Sequence, residues 1–288
     1  MGLIEKIAAS ETTAPAHLSV GGDSGHGPSF TLDFDDLAAK GAFTLERFGR
    51  DHVLELRAIK RALLKRMGML HASSARRRGV RTSSGRQRNI VVVTSTRPGE
   101  GKTFTSVNLA LSLALEDRKS VLLIDGDAVR PKVRSYFDLP KSAGLTDRLA
   151  DPSQKLPGIL WRAENAPLSI LSEGTKGAEA SDLYSSEDAT AFFAGVSTAA
   201  PDRIVIVDAP PALATTEAYA LAQHADEVLF VVQSDATPEP AVAVALDEIL
   251  EASPSVSLVL NRCAMAGGGH HYDSYDNYYA REAGKNDA

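Results

Sequence analysis

Cysteine is almost missing from this chain: Cys263 is the only one in 288 residues. An internal disulfide framework is therefore excluded, and no other residue stands at zinc-ligand spacing around it, so a reducing compartment fits. Long apolar runs are missing too. Val228 to Val232 is among the longest, far short of the roughly 20 residues that span a bilayer as a helix. The first residues also lack the basic, then apolar, then small-residue order of a signal peptide. The expectation is a cytoplasmic protein, held at the inner face of the cell membrane by a partner if at all. There is no large excess of either charge. The formal net charge is -6, with 24% charged and 43% hydrophobic residues, ordinary values for a globular chain that give no overall sign of a nucleic-acid binder.

What charge there is lies unevenly. Eleven Lys or Arg against two acidic residues fall between Asp51 and Ile90, making this stretch basic while the remainder is acidic. Residues 11 to 40 mix Gly, Ser, Thr, Pro and Asp without periodicity, and residues 1–50 read as a disordered arm with at most a short helix at Gly2 to Ala9. Residues 51–88 read as a basic helix and linker. Leu54, Leu56, Ile59, Leu63 and Leu64 recur at helical spacing, with Arg57, Lys60, Arg61 and Lys65 on the other face. The six arginines from His71 to Arg88 sit among small polar residues and suit a loop.

From residue 89 to 262 the pattern changes. Short apolar runs at Ile90 to Val93, Val121 to Ile124, Leu168 to Leu171, Ile204 to Val207, Val228 to Val232 and Val256 to Leu260 are mostly separated by helix-length segments. Buried strands alternating with helices imply an α/β fold, a mostly parallel sheet flanked by helices. Residues 263–288 become Gly-rich and then Tyr-rich, the composition of a flexible tail.

The first of these runs leads into Thr96-Arg97-Pro98-Gly99-Glu100-Gly101-Lys102-Thr103, followed by Phe104 and a helical stretch to Glu116. This is the Walker A pattern of a phosphate-binding loop, with Thr96 where the first Gly usually stands. Gly99 and Gly101 let backbone N–H groups turn toward phosphate oxygens. Lys102 reaches the β and γ phosphates, and Thr103 is placed to ligate Mg²⁺. Two further strand ends are acidic: Asp125-Gly126-Asp127 and Asp208-Ala209-Pro210-Pro211. A lone Asp after a strand is commonly a turn or helix cap. In a parallel sheet, however, neighbouring strand ends converge on one crevice, and carboxylates beside a triphosphate suit Mg²⁺. Asp208 takes the Walker B role of holding Mg²⁺, Asp125 that of polarising an attacking hydroxyl, and Asp127 that of supporting the metal. Lys102, Asp125, Asp127 and Asp208 are the candidate catalytic set, and Pro98 to Phe104 the candidate nucleotide cradle. ATP and Mg²⁺ are the implied cofactors.

Four of the seven tyrosines, Tyr272, Tyr275, Tyr278 and Tyr279, cluster within eight residues of the tail, in a setting of Gly, His, Asp, Asn and Ser that cannot bury them. Aromatic rings normally gain from burial, so they read as phosphate acceptors on a flexible arm. Full phosphorylation would add roughly -6 to -8 of charge, at about -1.5 to -2 per site.

With P-loop, acidic strand end, Asp-x-Pro-Pro strand end and tyrosine tail together, residues 50 to 288 resemble the bacterial tyrosine kinases, most of all those associated with exopolysaccharide and exosortase loci. That family is similar in fold to partition-type ATPases. The resemblance implies autophosphorylation in trans on the tyrosine tail, stimulated by a membrane-embedded polysaccharide co-polymerase. No membrane helix is found here, so that activator is expected as a separate chain. Homo-oligomerisation and an opposing tyrosine phosphatase are further expectations, and Asn261 and Arg262 look like adenine-contacting residues. Three positions depart from the family. Val129 stands where an Arg follows the acidic strand end, with Arg130 one place later. Leu54, Arg57 and Lys60 replace the Glu-x-x-Arg-x-x-Arg of the oligomerising helix. Thr96 replaces Gly. The alternative is a partition- or septum-type ATPase switch that dimerises on ATP, with Arg97 in place of its early lysine. A nucleic-acid binder would rest only on the arginines from Arg76 to Arg88, and a charge run is more often a solvated face.

Overall fold

The computed structural model describes residues 27–42, 50–69, 88–115, 119–200 and 202–263. Its centre is one sheet of eight strands: β1 (Ser29–Phe30), β2 (Ile90–Ser95), β3 (Val121–Asp125), β4 (Trp161–Ala163), β5 (Leu168–Leu171), β6 (Ile204–Asp208), β7 (Glu227–Gln233) and β8 (Val256–Asn261). Their spatial order is β1-β4-β5-β3-β6-β2-β7-β8. Neighbours run parallel except β4 and β5.

The apolar runs become strands because both faces are covered. Successive side chains point to opposite faces: Ile90 and Val92 of β2, Leu122 and Ile124 of β3, and Val205 and Val207 of β6 enter one core. Val91, Val93, Leu123, Ile204 and Ile206 enter the other. The first core is closed by Phe192, Phe193, Leu221 and Ile249 from the helices Glu187–Ala199, Glu217–Ala222 and Glu239–Ala252. The second is closed by the helix Lys102–Leu115 and by Leu63, Leu64 and Met67 at the end of the helix Arg50–Arg66. Each fully buried aliphatic side chain contributes on the order of 1.5–3 kcal/mol, so this two-sided burial outweighs local propensity. The expected mostly parallel α/β sheet is the fold observed.

The basic helix is amphipathic, with Arg57, Arg61 and Lys65 exposed, but Lys60, expected on the same face, is buried where the helix meets the rest of the fold. It is also locked to the sheet. Arg66 Nε lies 2.7 Å from Glu227 Oε1, and that fully buried carboxylate also accepts from Ser255 Oγ at 2.5 Å and Ser257 Oγ at 2.6 Å.

The N-terminal arm needs a correction over residues 27–42. These residues are not a coreless stretch. Strand β1 pairs with β4, Asp33 Oδ1 caps the helix Phe34–Ala39 by accepting from the backbone of Asp35 and Asp36 at 3.0 Å, and Leu32, Leu37 and Ala42 are buried. The physical reason is tertiary: a two-residue strand and a six-residue helix carry too few residues to show periodicity, yet they cover β4 and the second core. The proposed helix at Gly2 to Ala9, most of the arginine-rich linker and the tyrosine tail lie outside the described residues. Among the described residues no helix is long and apolar enough to cross a membrane.

Candidate active site

The ends of β2, β3 and β6 meet at one rim because they are adjacent and in register, with Asp125 opposite Asp208 and Val93 opposite Asp208. From β2 the chain turns through residues 96–101 into the helix Lys102–Leu115. The turn needs its glycines. Gly99 and Gly101 have φ of +89° and +103°, a region costly for residues with a Cβ. A Cβ on Gly101 would also stand 2.0 Å from Asn261 Nδ2, whereas Gly99 faces open space. Arg97, Pro98 and Gly99 are exposed, while Thr96 is fully buried and its hydroxyl has no partner. The strand end after β6 runs alongside: Thr94 Oγ1 donates to Pro210 O at 2.7 Å, and the Ala212 N–H donates to Ser95 O at 2.8 Å.

Lys102, almost wholly buried, donates to Asp127 Oδ2 at 2.7 Å and lies 3.7 Å from Asp208 Oδ2. Asp208 in turn accepts from Thr103 Oγ1 at 2.6 Å and Ser106 Oγ at 3.0 Å. The candidate Lys, Thr and two carboxylates are thus in mutual contact. Burial alone would lower the Lys102 pKa, but the charges of Asp208 and Asp127 outweigh it and hold the ammonium above its usual value. Burial raises Asp208, partly offset by Lys102, Thr103 and Ser106.

Asp125 is fully buried and held by the backbone around it. Both of its oxygens accept backbone N–H groups, from Asp127 at 3.1 Å, Lys132 at 3.0 Å and Val133 at 2.9 Å. It shapes the turn that presents Asp127, the cap role that a strand-end Asp commonly has. Burial, then the charge of Asp208, pushes its pKa well above the usual carboxylate range. Gly126 between the two acids is tightly packed, since a Cβ there would meet Leu221 Cδ1 at 2.8 Å. Asp127 Oδ1 completes the turn by accepting from the Arg130 N–H at 2.8 Å. Val129 and Arg130 themselves are exposed.

Three buried carboxylates, Asp125, Asp127 and Asp208, face one buried ammonium, Lys102. Carboxylate and hydroxyl oxygens standing side by side are the donor chemistry that a hard divalent cation takes. No group of three His, Cys, Asp or Glu side chains among the described residues forms a metal cage. Mg²⁺ does not need one, because it keeps several waters and takes the remainder from one or two side chains and from phosphate. The residues present fit Mg-ATP.

Asn261, at the end of β8, donates through Nδ2 to Glu100 O at 2.8 Å, so it braces the phosphate loop. Arg262 is exposed and bonds Gln233 Oε1 at 3.2 Å. Phe104 is half-buried, near Gly41 of the N-terminal segment. One acid was missed from sequence: Glu217, nearly buried, with Oε2 unpartnered and its pKa raised to about 6 by burial and then by the charge of Asp127. Its one signal was position, nine residues after Asp208 in a segment with no motif of its own. Tyr272, Tyr275, Tyr278 and Tyr279 fall outside the described residues.

No family model matches the chain. Its sequence is 35% identical over 167 residues to tyrosine-protein kinase YwqD of Bacillus subtilis strain 168, covering 58% of this chain and 69% of that protein. The chain belongs to the bacterial tyrosine-protein kinase family. A second member, tyrosine-protein kinase ptk of Acinetobacter johnsonii, is 31% identical over 188 residues, which is 65% of this chain but 25% of that longer protein. Among solved structures, the kinase domain of VpsO superposes with a TM-score of 0.59 at 27% identity, covering 74% of this chain and 98% of that domain. The family's P-loop fold accounts for Lys102, Thr103 and the acidic strand ends occupying one rim.

Proposed function

We propose that this chain is an ATP-dependent protein-tyrosine autokinase that phosphorylates Tyr272, Tyr275, Tyr278 and Tyr279 of a neighbouring copy. The observation that carries this reading is the buried Lys102 held between Asp127 and Asp208, with Thr103 on Asp208, in a member of the tyrosine-kinase family. In the reaction the bond from a tyrosine oxygen to the γ-phosphorus forms and the bond from that phosphorus to the bridging oxygen breaks. ADP leaves, and the hydroxyl proton passes to a base. Phosphoryl transfer of this kind depends mainly on positioning and charge neutralisation.

The backbone of Pro98 to Thr103 and the N-terminus of the helix Lys102–Leu115 cradle the phosphates. Lys102 swings from Asp127 to the β and γ oxygens, and Asn261 and Arg262 lie on the adenine side. Thr103, Asp208 and Asp127 would hold Mg²⁺, which would supply charge neutralisation at the transferring group. Lys102's departure frees the Asp127 oxygen for the metal, and Asp125, beside it on the same strand end, polarises the acceptor's hydroxyl.

By resemblance to its family, the kinase regulates exopolysaccharide or capsule polymerisation and export. It does so as a homo-oligomer at the inner face of the membrane, under a separate co-polymerase activator and opposed by a tyrosine phosphatase. The test is intact-mass spectrometry of the purified chain with Mg-ATP beside a variant with all four tail tyrosines changed to Phe. Successive phosphate additions in the parent and none in the variant are expected. Silence in the parent, with ATP binding confirmed and an activator's cytoplasmic segment supplied, refutes the autokinase and favours the partition-type ATPase switch.

A further inference from the structure

The Glu100 side chain of the phosphate loop is engaged both within the loop and with a turn distant in sequence. Its carboxylate, within a residue only 3% exposed, accepts from the Arg97 N–H at 3.0 Å and from Thr237 Oγ1 at 2.5 Å. Its carbonyl accepts from Asn261 Nδ2 at 2.8 Å. Three segments distant in sequence therefore meet at one position: the loop itself, the turn between β7 and the helix Glu239–Ala252, and the end of β8. The second and third are tied to each other as well, since the Ser234 N–H donates to Asn261 O at 2.9 Å. Both turns hold a non-glycine residue in the left-handed region, Asp235 and Arg262, each with φ of +56°. Such conformations persist only where the surroundings fix them.

We infer that Thr237 is a positioning residue: its hydroxyl, through the Glu100 carboxylate, clamps the phosphate loop to the turn after β7 and thereby slows nucleotide release. Thr237 is itself half-buried in a largely exposed turn, on none of the strand ends that carry Asp125, Asp127 and Asp208. Its hydroxyl makes the one bond from this turn to the Glu100 side chain. A hydroxyl bonded to a carboxyl group at this distance is a specific tie between the two segments. Without it the loop can part from the turn while the chemistry at Lys102 is untouched. The inference rests on the P-loop being the nucleotide site proposed above.

The experiment follows release of a fluorescent ADP analogue from the full chain with Mg²⁺ by stopped flow, for the parent, Thr237→Val and Thr237→Ser. Thr237→Val should release about tenfold faster, equivalent to about 1.4 kcal/mol. Thr237→Ser, which keeps the hydroxyl, should stay within about twofold of the parent, and single-turnover phosphoryl transfer at saturating ATP should be unchanged in both. In a Glu100→Ala background, Thr237→Val should add less than about twofold, because its partner is already gone. A parental release rate in Thr237→Val, no rescue by Ser, or full additivity with Glu100→Ala overturns the clamp. If the parent binds no analogue, the nucleotide-site reading falls first and takes the clamp with it. Normal binding with no tyrosine phosphorylation leaves the clamp standing while the kinase reading falls.

Discussion

Glu217 puts the electrostatics of the rim to a direct test. Its carboxyl is nearly buried beside Asp127 with one oxygen unpartnered, and its pKa is raised from 4.5 to about 6. A carboxyl whose folded-state pKa lies above its unfolded value binds its proton more tightly when folded. Its contribution therefore favours the fold at low pH and is lost as pH rises from the unfolded pKa through the folded one. A shift of about 1.5 units at about 1.36 kcal/mol each corresponds to about 2 kcal/mol of destabilisation at pH 7.5 and almost none below pH 4. Glu217→Gln removes the charge at nearly constant shape. Any cost of burying the amide is independent of pH, so it shifts the comparison uniformly without bending it. Urea unfolding of both proteins in Mg²⁺-free buffer from pH 4 to 8 should show the variant gaining about 2 kcal/mol relative to the parent across that range. For a domain of this size the gain is about 4–8 °C in Tm. A difference that stays flat with pH would refute the account of Glu217 as a charge repelled by its surroundings.

Other consequences follow from the same geometry. Lys102→Met should reduce ATP turnover by at least about 10³-fold in a coupled assay, with the circular-dichroism spectrum retained; preserved turnover would remove Lys102 from the site. Arg66→Ala takes the cation from the buried Glu227 carboxylate and leaves Ser255 and Ser257 as its donors. A loss of about 2–4 kcal/mol in urea unfolding is expected, with nucleotide affinity little changed. Gly101→Ala places a Cβ against Asn261 at a φ of +103° and should weaken ATP binding by tenfold or more in calorimetry.

The strands of the central sheet were legible because each is an apolar run buried on both faces, and Val121 to Ile124 or Ile204 to Val207 permits little else. The phosphate loop and the acids after β3 and β6 were legible because the glycines and carboxylates have mechanical reasons to stand beside strand ends. What escaped depends on contacts between distant segments. Residues 29–39 gain their structure from β4 and the second core. Strand β4 is three residues long and runs against the parallel pattern. Asp125's engagement with the Lys132 and Val133 amides follows from a chain reversal that no spacing announces. Glu217 and Thr237 matter only because folding brings them to Asp127 and Glu100.

The pairing of β1 with β4 links Ser29 to Arg162, 133 positions along the chain. The N-terminal strand thus has no partner until the chain has been made well past the phosphate loop and the first acidic strand end. During synthesis at roughly 5–20 residues per second, about 7 to 27 seconds separate the two. Contacts of such long separation also close slowly. Until β4 has been made, β1 stands as an unpaired strand of the kind that other chains can join. Early-emerging residues act as a late-arriving cover, and shortening the chain at its beginning would expose the far end of the sheet while sparing the rim where Lys102 sits.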